Sequence, residues 1–132
     1  MTHDALHDWI EKYGRAWRER DPEAAARLFT EHALYASHPF REPHIGRQGV
    51  REYWARATRG QQNLELRFGR ALLDGRHAAV EWWAIMDVKG EGTVTLPGCL
   101  FLRFSADTLC EELREYWTSE KQRVETPANW GL

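Results

Sequence analysis

The sequence is poor in cysteine and has no long apolar run. Cys99 and Cys110 are its only thiols, too few for a disulfide framework and in no metal-ligand spacing, so inert thiols in a reducing compartment are expected. No apolar stretch approaches the length that spans a bilayer, and the opening MTHDALHDWIEK lacks the basic flank and apolar core of a secretion signal. A cytoplasmic protein without a membrane partner is the expectation. Charge of one sign is never concentrated: charged residues make up 29% of the chain, the net charge is -2, and no block of like charge could track a phosphate backbone. Nucleic acid is therefore not an expected partner. His3, His7, His32 and His77 are scattered without the two-His-one-carboxylate spacing of a metal site. The segment GRQGV lacks the Lys-Ser/Thr pair of a phosphate loop. No metal and no cofactor is expected.

What the chain does have is aromatic surface, with seven tryptophans, four tyrosines and five phenylalanines in 132 residues. Large rings supply apolar area to cores and commonly line small-molecule pockets. A chain of this length suits one domain, burying roughly two-thirds of its unfolded surface. From Ala5 to Arg20 the apolar positions Leu6, Trp9, Ile10, Tyr13, Ala16 and Trp17 recur at three and four, which predicts a helix. Asp21-Pro22-Glu23 is an N-cap, a first-turn proline and a first-turn acid, predicting a second helix from Pro22 to about Thr30. Ala33 to His38 alternates as a strand, and a third helix follows Gly46 with Val50, Tyr53, Trp54 and Ala57 on one face.

Beyond Gly60 the period falls to two, with turn signals at Asp74-Gly75, at Lys89 to Gly92 and at Ser105 to Thr108. Four antiparallel strands are predicted, at 64–73, 77–88, 93–104 and 109–119. Val80, Trp82, Ala84 and Met86 share one face with Leu96, Gly98, Leu100, Leu102 and Phe104 of the next strand. An inverted face would instead turn Glu81 and Trp83 inward. Helices followed by an antiparallel sheet give an α+β fold, a cone-shaped, strongly curved sheet with three N-terminal helices covering its concave face. Gly69 and Gly98 allow the bends this needs. Residues 1–119 form the single domain, and 120–132 form a tail without periodicity, either loose or packed through Trp130. The outer face with Glu81, Trp83, Ile85 and Asp87 mixes Trp, Ile and acid, and reads as the interface of a homodimer.

The phrases RDPEAAARLF, GRQGVREYW, EWWA, LPGCLFLRF and LREYW, in this element order, resemble the SnoaL-like branch of the nuclear transport factor two-like superfamily over about residues 5–119. That resemblance implies the cone fold. It spans ketosteroid isomerases, polyketide cyclases, dehydratases, epoxide hydrolases and proteins that only bind, so it does not choose among activities. The isomerases place an oxyanion-stabilising tyrosine eight residues before the Asp that opens the second helix, and Tyr13 stands so before Asp21. Their general base precedes a proline after the first strand, where this chain has His38 before Pro39. Their second oxyanion donor is an acid on the third strand, where this chain has Leu100 or Cys99. Ketosteroid isomerisation is disfavoured on that ground, and no Asp-Arg-Asp set of an epoxide hydrolase is evident.

His38 shares a strand face with Leu34 and Ala36 and is held extended by the bond to Pro39, so it is expected at a pocket mouth, where an imidazole can take a proton or activate water. A structural histidine is the alternative. Tyr13 would stabilise an oxyanion or satisfy its hydroxyl within the core. Glu115, inward if the register is as anchored, would be a buried carboxyl that returns a proton or orients His38, and a one-residue slip would expose it. Trp17, Leu34, Trp54, Trp82, Met86, Leu100 and Trp117 would line the cavity, and Cys99 reads as a packing residue. The expected ligand is a hydrophobic small molecule. The expected activity is a cofactor-independent isomerase, cyclase or hydrolase acting by proton transfer on a carbonyl or polycyclic compound. The alternative is a non-catalytic ligand-binding or dimerisation module.

Overall fold

The structure, a computed structural model, covers residues 1–132. Helix α1 (His3–Glu19) is capped by the Thr2 hydroxyl, which accepts from the Ala5 N–H, and ends where Arg20 takes a left-handed conformation. Asp21 then caps α2 (Pro22–Ala26) by accepting from the Ala24 N–H. This helix is shorter than the sequence suggests. Leu28 is claimed by tertiary contacts, its carbonyl accepting from both the Cys110 N–H and the Trp9 indole, and the chain is already a strand at Phe29. Strand β1 (Phe29–Ala36) thus begins earlier and ends earlier than expected. A short β2 (His44–Ile45) leads into α3 (Gly46–Ala57). Gly46 sits at a positive φ, and a Cβ there would strike the Glu31 carbonyl.

The remaining strands are β3 (Gln61–Phe68), β4 (Leu72–Asp74), β5 (His77–Val88), β6 (Gly92–Phe104) and β7 (Cys110–Trp117). The predicted strand at 64–73 is broken in two because Gly69 and Arg70 turn against Gly131, whose carbonyl accepts from the Arg70 N–H. The sheet runs β2-β1-β7-β6-β5-β3, with β4 pairing the start of β5. It curves without closing. One pairing departs from the antiparallel expectation, since β1 lies parallel to β7. The three helices cover the concave face, and Trp9, Tyr13 and Trp17 of α1 pack in one core with Phe29, Trp82, Leu100, Phe104 and Leu113.

Alternation along β5 turns Val80, Trp82, Ala84 and Met86 to this core, which settles the face left open by the sequence. Trp82 lies across the strand from Gly98, and a Cβ at Gly98 would overlap the indole's six-membered ring. The glycine is therefore a place for the ring to lie flat on β6.

Part of the outer face on which the sequence places a homodimer contact is covered by the chain itself. Residues 120–132 fold back across it. Glu120 pairs with Thr95 through two backbone hydrogen bonds of 2.9 Å, and the Trp83 indole donates to the Val124 carbonyl at 3.0 Å. Arg123 forms a two-pronged ion pair with Glu65, and Arg67 stacks over Trp130. Ile85 is buried and Trp83 half-buried there, while Phe101 and Tyr116 on the same face remain exposed.

Gly98→Ala is expected to destabilise the fold by about 1–3 kcal/mol, as overpacking in a filled core does. Thermal unfolding should show a smaller loss for the same change in a Trp82→Phe background. An equal loss in both would mean that the indole contact is not the cause.

Candidate functional site

A cavity of about 210 Å³ lies between α1, α3 and the concave sheet, lined by twelve residues. Its deep end is formed by Tyr13, Tyr35 and Glu115, all buried, and its outer part by Tyr53, Ala57, Gln61, Leu96 and the partly exposed Trp117. Trp17, Trp54 and Trp82 supply the walls. Trp17 meets Trp82 edge to face at 5.2 Å, and Tyr13 meets Trp54 in the same way at 5.2 Å.

Strand alternation brings Glu115 inward. Leu113 and Glu115 of β7 face Leu102 and Leu100 of β6, while Arg114 and Tyr116 point out. Glu115 is only 7% exposed, and no hydrogen bond from the protein reaches its carboxyl. Burial alone pushes its pKa up to about 8, with no cation near enough to oppose the shift. The Tyr13 and Tyr35 hydroxyls bond each other at 3.0 Å, and the Trp54 indole N–H donates to Tyr35 at 3.3 Å. Both tyrosines titrate well above their ordinary value: Tyr13 through burial and then the Glu115 charge, Tyr35 through burial and then Tyr13. Tyr53 is pushed up to about 12 by burial and then by Glu115, and its ring stacks on His44 at 4.4 Å.

The polar groups at the opposite end are already committed. Gln61 accepts from the Trp17 indole at 2.9 Å and donates to the Ala57 carbonyl at 2.8 Å, and the Thr58 hydroxyl donates to the Trp54 carbonyl at 2.7 Å. Hydrogen-bonding capacity left free for a ligand is thus concentrated at Glu115, the tyrosine hydroxyls and the Trp82 indole N–H, which is buried without a partner. The cavity can solvate one polar end of a compound while its aromatic walls hold an apolar body.

Of the residues expected from the sequence, Tyr13, Trp17, Trp54, Trp82, Glu115 and Trp117 lie on this lining. Four others do not. Leu34 points outward beside Ile45 and is 39% exposed, because the inward face of β1 is Phe29, Ala33 and Tyr35. Met86 and Leu100 are sealed in the core, away from the cavity.

His38 lies beyond the end of β1 in a turn where the Arg41 N–H bonds its carbonyl, so it is not carried inward by the strand. Its Nδ1 accepts from the Phe40 N–H at 3.2 Å, and its ring meets the edge of Trp117 at 5.9 Å. It touches the rim and does not line the cavity. Tyr35, Tyr53, Gln61 and Leu96 were not anticipated. Starting β1 at Phe29 would have revealed Tyr35 through its parity, and Tyr53 was visible on the buried side of α3. Nothing local marks Gln61.

Cys99 is half-buried on the outer face opposite Glu81, and its thiol pKa is raised by burial and then by that acid, consistent with an unreactive group. No cluster of three or more His, Cys, Asp or Glu is placed to hold a metal, and no helix is long and apolar enough to cross a membrane.

Stability should report the buried acid. A carboxyl whose pKa is raised in the folded state favours folding most below its unfolded value near 4.5, and that advantage is lost progressively as pH rises to about 8. Glu115→Gln should therefore gain in Tm relative to the wild type as pH rises from about 5 to about 8. A pH-independent difference would place the carboxyl in water.

Several solved structures share this architecture. A hypothetical protein with a ketosteroid isomerase-like fold from Catenulispora acidiphila DSM 44928, in complex with trimethylamine, superposes with a TM-score of 0.74 at 21% identity, over 82% of this chain and 83% of that one. The epoxide hydrolase/cyclase-like enzyme SalBIII, with a role in pyran ring formation in the polyether salinomycin, gives a TM-score of 0.73 at 20% identity, over 85% and 89%. A protein provisionally named scytalone dehydratase from Novosphingobium aromaticivorans DSM 12444 gives 0.76 at 16% identity, over 98% and 93%. At such identities the likeness is one of fold. No curated protein sequence matches. The SnoaL-like domain model does match, over residues 10–113 and hence from within α1 to partway along β7, ending two residues before Glu115, and the chain belongs to that family.

Proposed function

We propose that the protein is a cofactor-independent isomerase or cyclase that moves a proton on a small, largely apolar carbonyl compound, with Glu115 as the proton carrier. The observation that carries this reading is the Glu115 carboxyl, buried, open to the cavity and without a protein hydrogen bond. With a pKa of about 8 it can both take and return a proton near neutrality. Tyr13 and Tyr35 titrate too high to act as bases there and serve as donors to an oxyanion.

With a carbonyl oxygen seated on the Tyr13 hydroxyl, ionised Glu115 takes a proton from the adjacent carbon. The C–H electron pair becomes a C=C bond and the carbonyl becomes an enolate held by the tyrosine. Where a β,γ double bond is conjugated to that enolate, return of the proton from Glu115 to the γ carbon moves the C=C to the α,β position and restores the carbonyl and the carboxylate. The cavity is below the roughly 300–1,000 Å³ of drug-sized sites, so a one- or two-ring compound fits better than a larger polycycle. The cyclase-like relative and the relative that holds trimethylamine support small-molecule chemistry in this fold. His38 is then a rim residue and Tyr35 takes the place expected for it among the polar groups. Binding without turnover is the second reading, favoured by the lack of any His, Asp, Lys or Arg on the lining.

Solvent deuterium exchange into a small β,γ-unsaturated cyclic ketone, followed by NMR together with its double-bond shift, separates the two. Glu115→Gln should lower the exchange rate by about 10²–10⁴-fold, the usual scale of general acid–base catalysis. Tyr13→Phe should cost about 10²-fold, as loss of an oxyanion donor does. Exchange should rise with pH and level above about pH 8, as Glu115 ionises. Ketone binding without exchange would favour the second reading, and a Glu115→Gln protein exchanging at the wild-type rate would remove Glu115 from the mechanism.

A further inference from the structure

Glu115 lacks the partner that a buried carboxylate ordinarily has. The cavity lining contains one acid and no Arg, Lys or His, so nothing in the protein supplies a counter-charge. Around that acid stand Trp17, Trp54, Trp82, Trp117 and Tyr53, with neighbouring rings near right angles, so that the walls present ring faces as well as edges. Faces of this kind attract cations through the ring quadrupole, most strongly where water is excluded. A buried ionised group is tolerated when it is paired.

We propose that this cavity binds small tertiary or quaternary alkylammonium ions, with the Glu115 carboxylate as counter-ion and the tryptophan and tyrosine faces as the cage. The inference rests on the cavity being the ligand site, as above, and not on any turnover there.

The shape of the polar set narrows the class. A primary ammonium carries three N–H donors that each need an acceptor. The cavity offers acceptors only at Glu115 and the tyrosine oxygens, because Gln61 and Thr58 are already bonded within the protein. A quaternary ammonium needs no acceptor at all, and its methyl groups suit apolar ring faces. Carboxylate ligands are disfavoured by the same lone acid.

The groups facing Glu115 are Tyr13 from α1, Tyr53 from α3 and Tyr35 from β1, with Leu100 across the strand pair, and Cys110 at the start of its own strand acts on Tyr13. Arg41 and Arg56 act on Tyr53, and Arg56 also on His44, but neither is among the groups that shift Glu115. The tyrosines and Cys110 all titrate above their ordinary values, leaving Glu115 as the facing group that changes charge between neutrality and mild alkali. Binding of a permanent cation should therefore strengthen as Glu115 ionises and then level off.

The test compares choline with its uncharged carbon isostere 3,3-dimethyl-1-butanol by titration calorimetry on the full chain, from about pH 6 to about pH 9. Choline affinity should rise about tenfold or more across that range, and at the upper end choline should bind about tenfold more tightly than the isostere, whose affinity should not rise with pH. Glu115→Gln should abolish the pH dependence and most of the preference. Trp117→Leu, a change at the partly exposed rim that leaves the core intact, should weaken choline several-fold more than the isostere. Methylammonium should bind more weakly than tetramethylammonium.

Equal binding of choline and the isostere, or an unchanged preference in a folded Glu115→Gln protein, would overturn the inference. If the isostere or a cyclic ketone binds while choline does not, the cation class fails and the carbonyl reading stands. If nothing binds, both fail.

Discussion

The register between β6 and β7 is the constraint on which this site depends. Leu102 opposite Leu113, Leu100 opposite Glu115 and Gly98 opposite Trp117 turn three consecutive inward positions of β7 to the concave side. A slip of one residue would put Arg114 and Tyr116 inside and send Glu115 to water. The apolar face of β6 resists that slip, because Leu100, Leu102 and Phe104 are all buried in the right register. One acid is thereby carried into the core at the cost of its desolvation. That cost appears as the upward shift of its pKa and leaves a titratable group where the surrounding rings cannot titrate.

Cavity and fold draw on the same side chains. The rings on α1, α3 and the inner sheet face that border the space between the layers meet near right angles at Tyr13–Trp54 and at Trp17–Trp82. Gly98 gives Trp82 room to lie on the sheet, and the Trp117 indole donates to the Ser37 carbonyl at 2.9 Å, tying the rim strand to the end of β1. The same chain then leaves Trp117, pairs through Glu120 with Thr95 of β6, and reaches the outer face at Trp83. The rim of the cavity and the strap on the back of the sheet are consecutive segments, so the tail also helps to hold the rim.

The general-base position that family resemblance suggested is occupied by a histidine that the turn at Ser37 to Arg41 swings to the rim. The third-strand position at which the resemblance implies an acid is Leu100 or Cys99 here, and Glu115 stands on the neighbouring strand, directly across from Leu100. A side chain can change strand and still reach the same region of space, because cross-strand partners on one face stand roughly 5 Å apart. Motif matching along one strand takes no account of a side chain that pair geometry brings to the same region from the next.

Local chemistry made much of this legible in the sequence. The capped helices, the Asp74-Gly75 turn, the period-two faces of β5 and β6 and the inward parity of Glu115 follow from propensity and alternation, which act over a few residues. The sequence alone could not set the ends of β1, since ALYASH alternates equally well in either parity and only pairing with β7 and β2 selects Tyr35 over Leu34. It could not foresee that Gln61 would satisfy the Trp17 indole, that Met86 and Leu100 would be sealed off, or that the tail would take part of the outer face. Those outcomes depend on which distant surfaces meet. Periodicity fixes the side of an element on which a residue lies, and packing alone decides what stands opposite it.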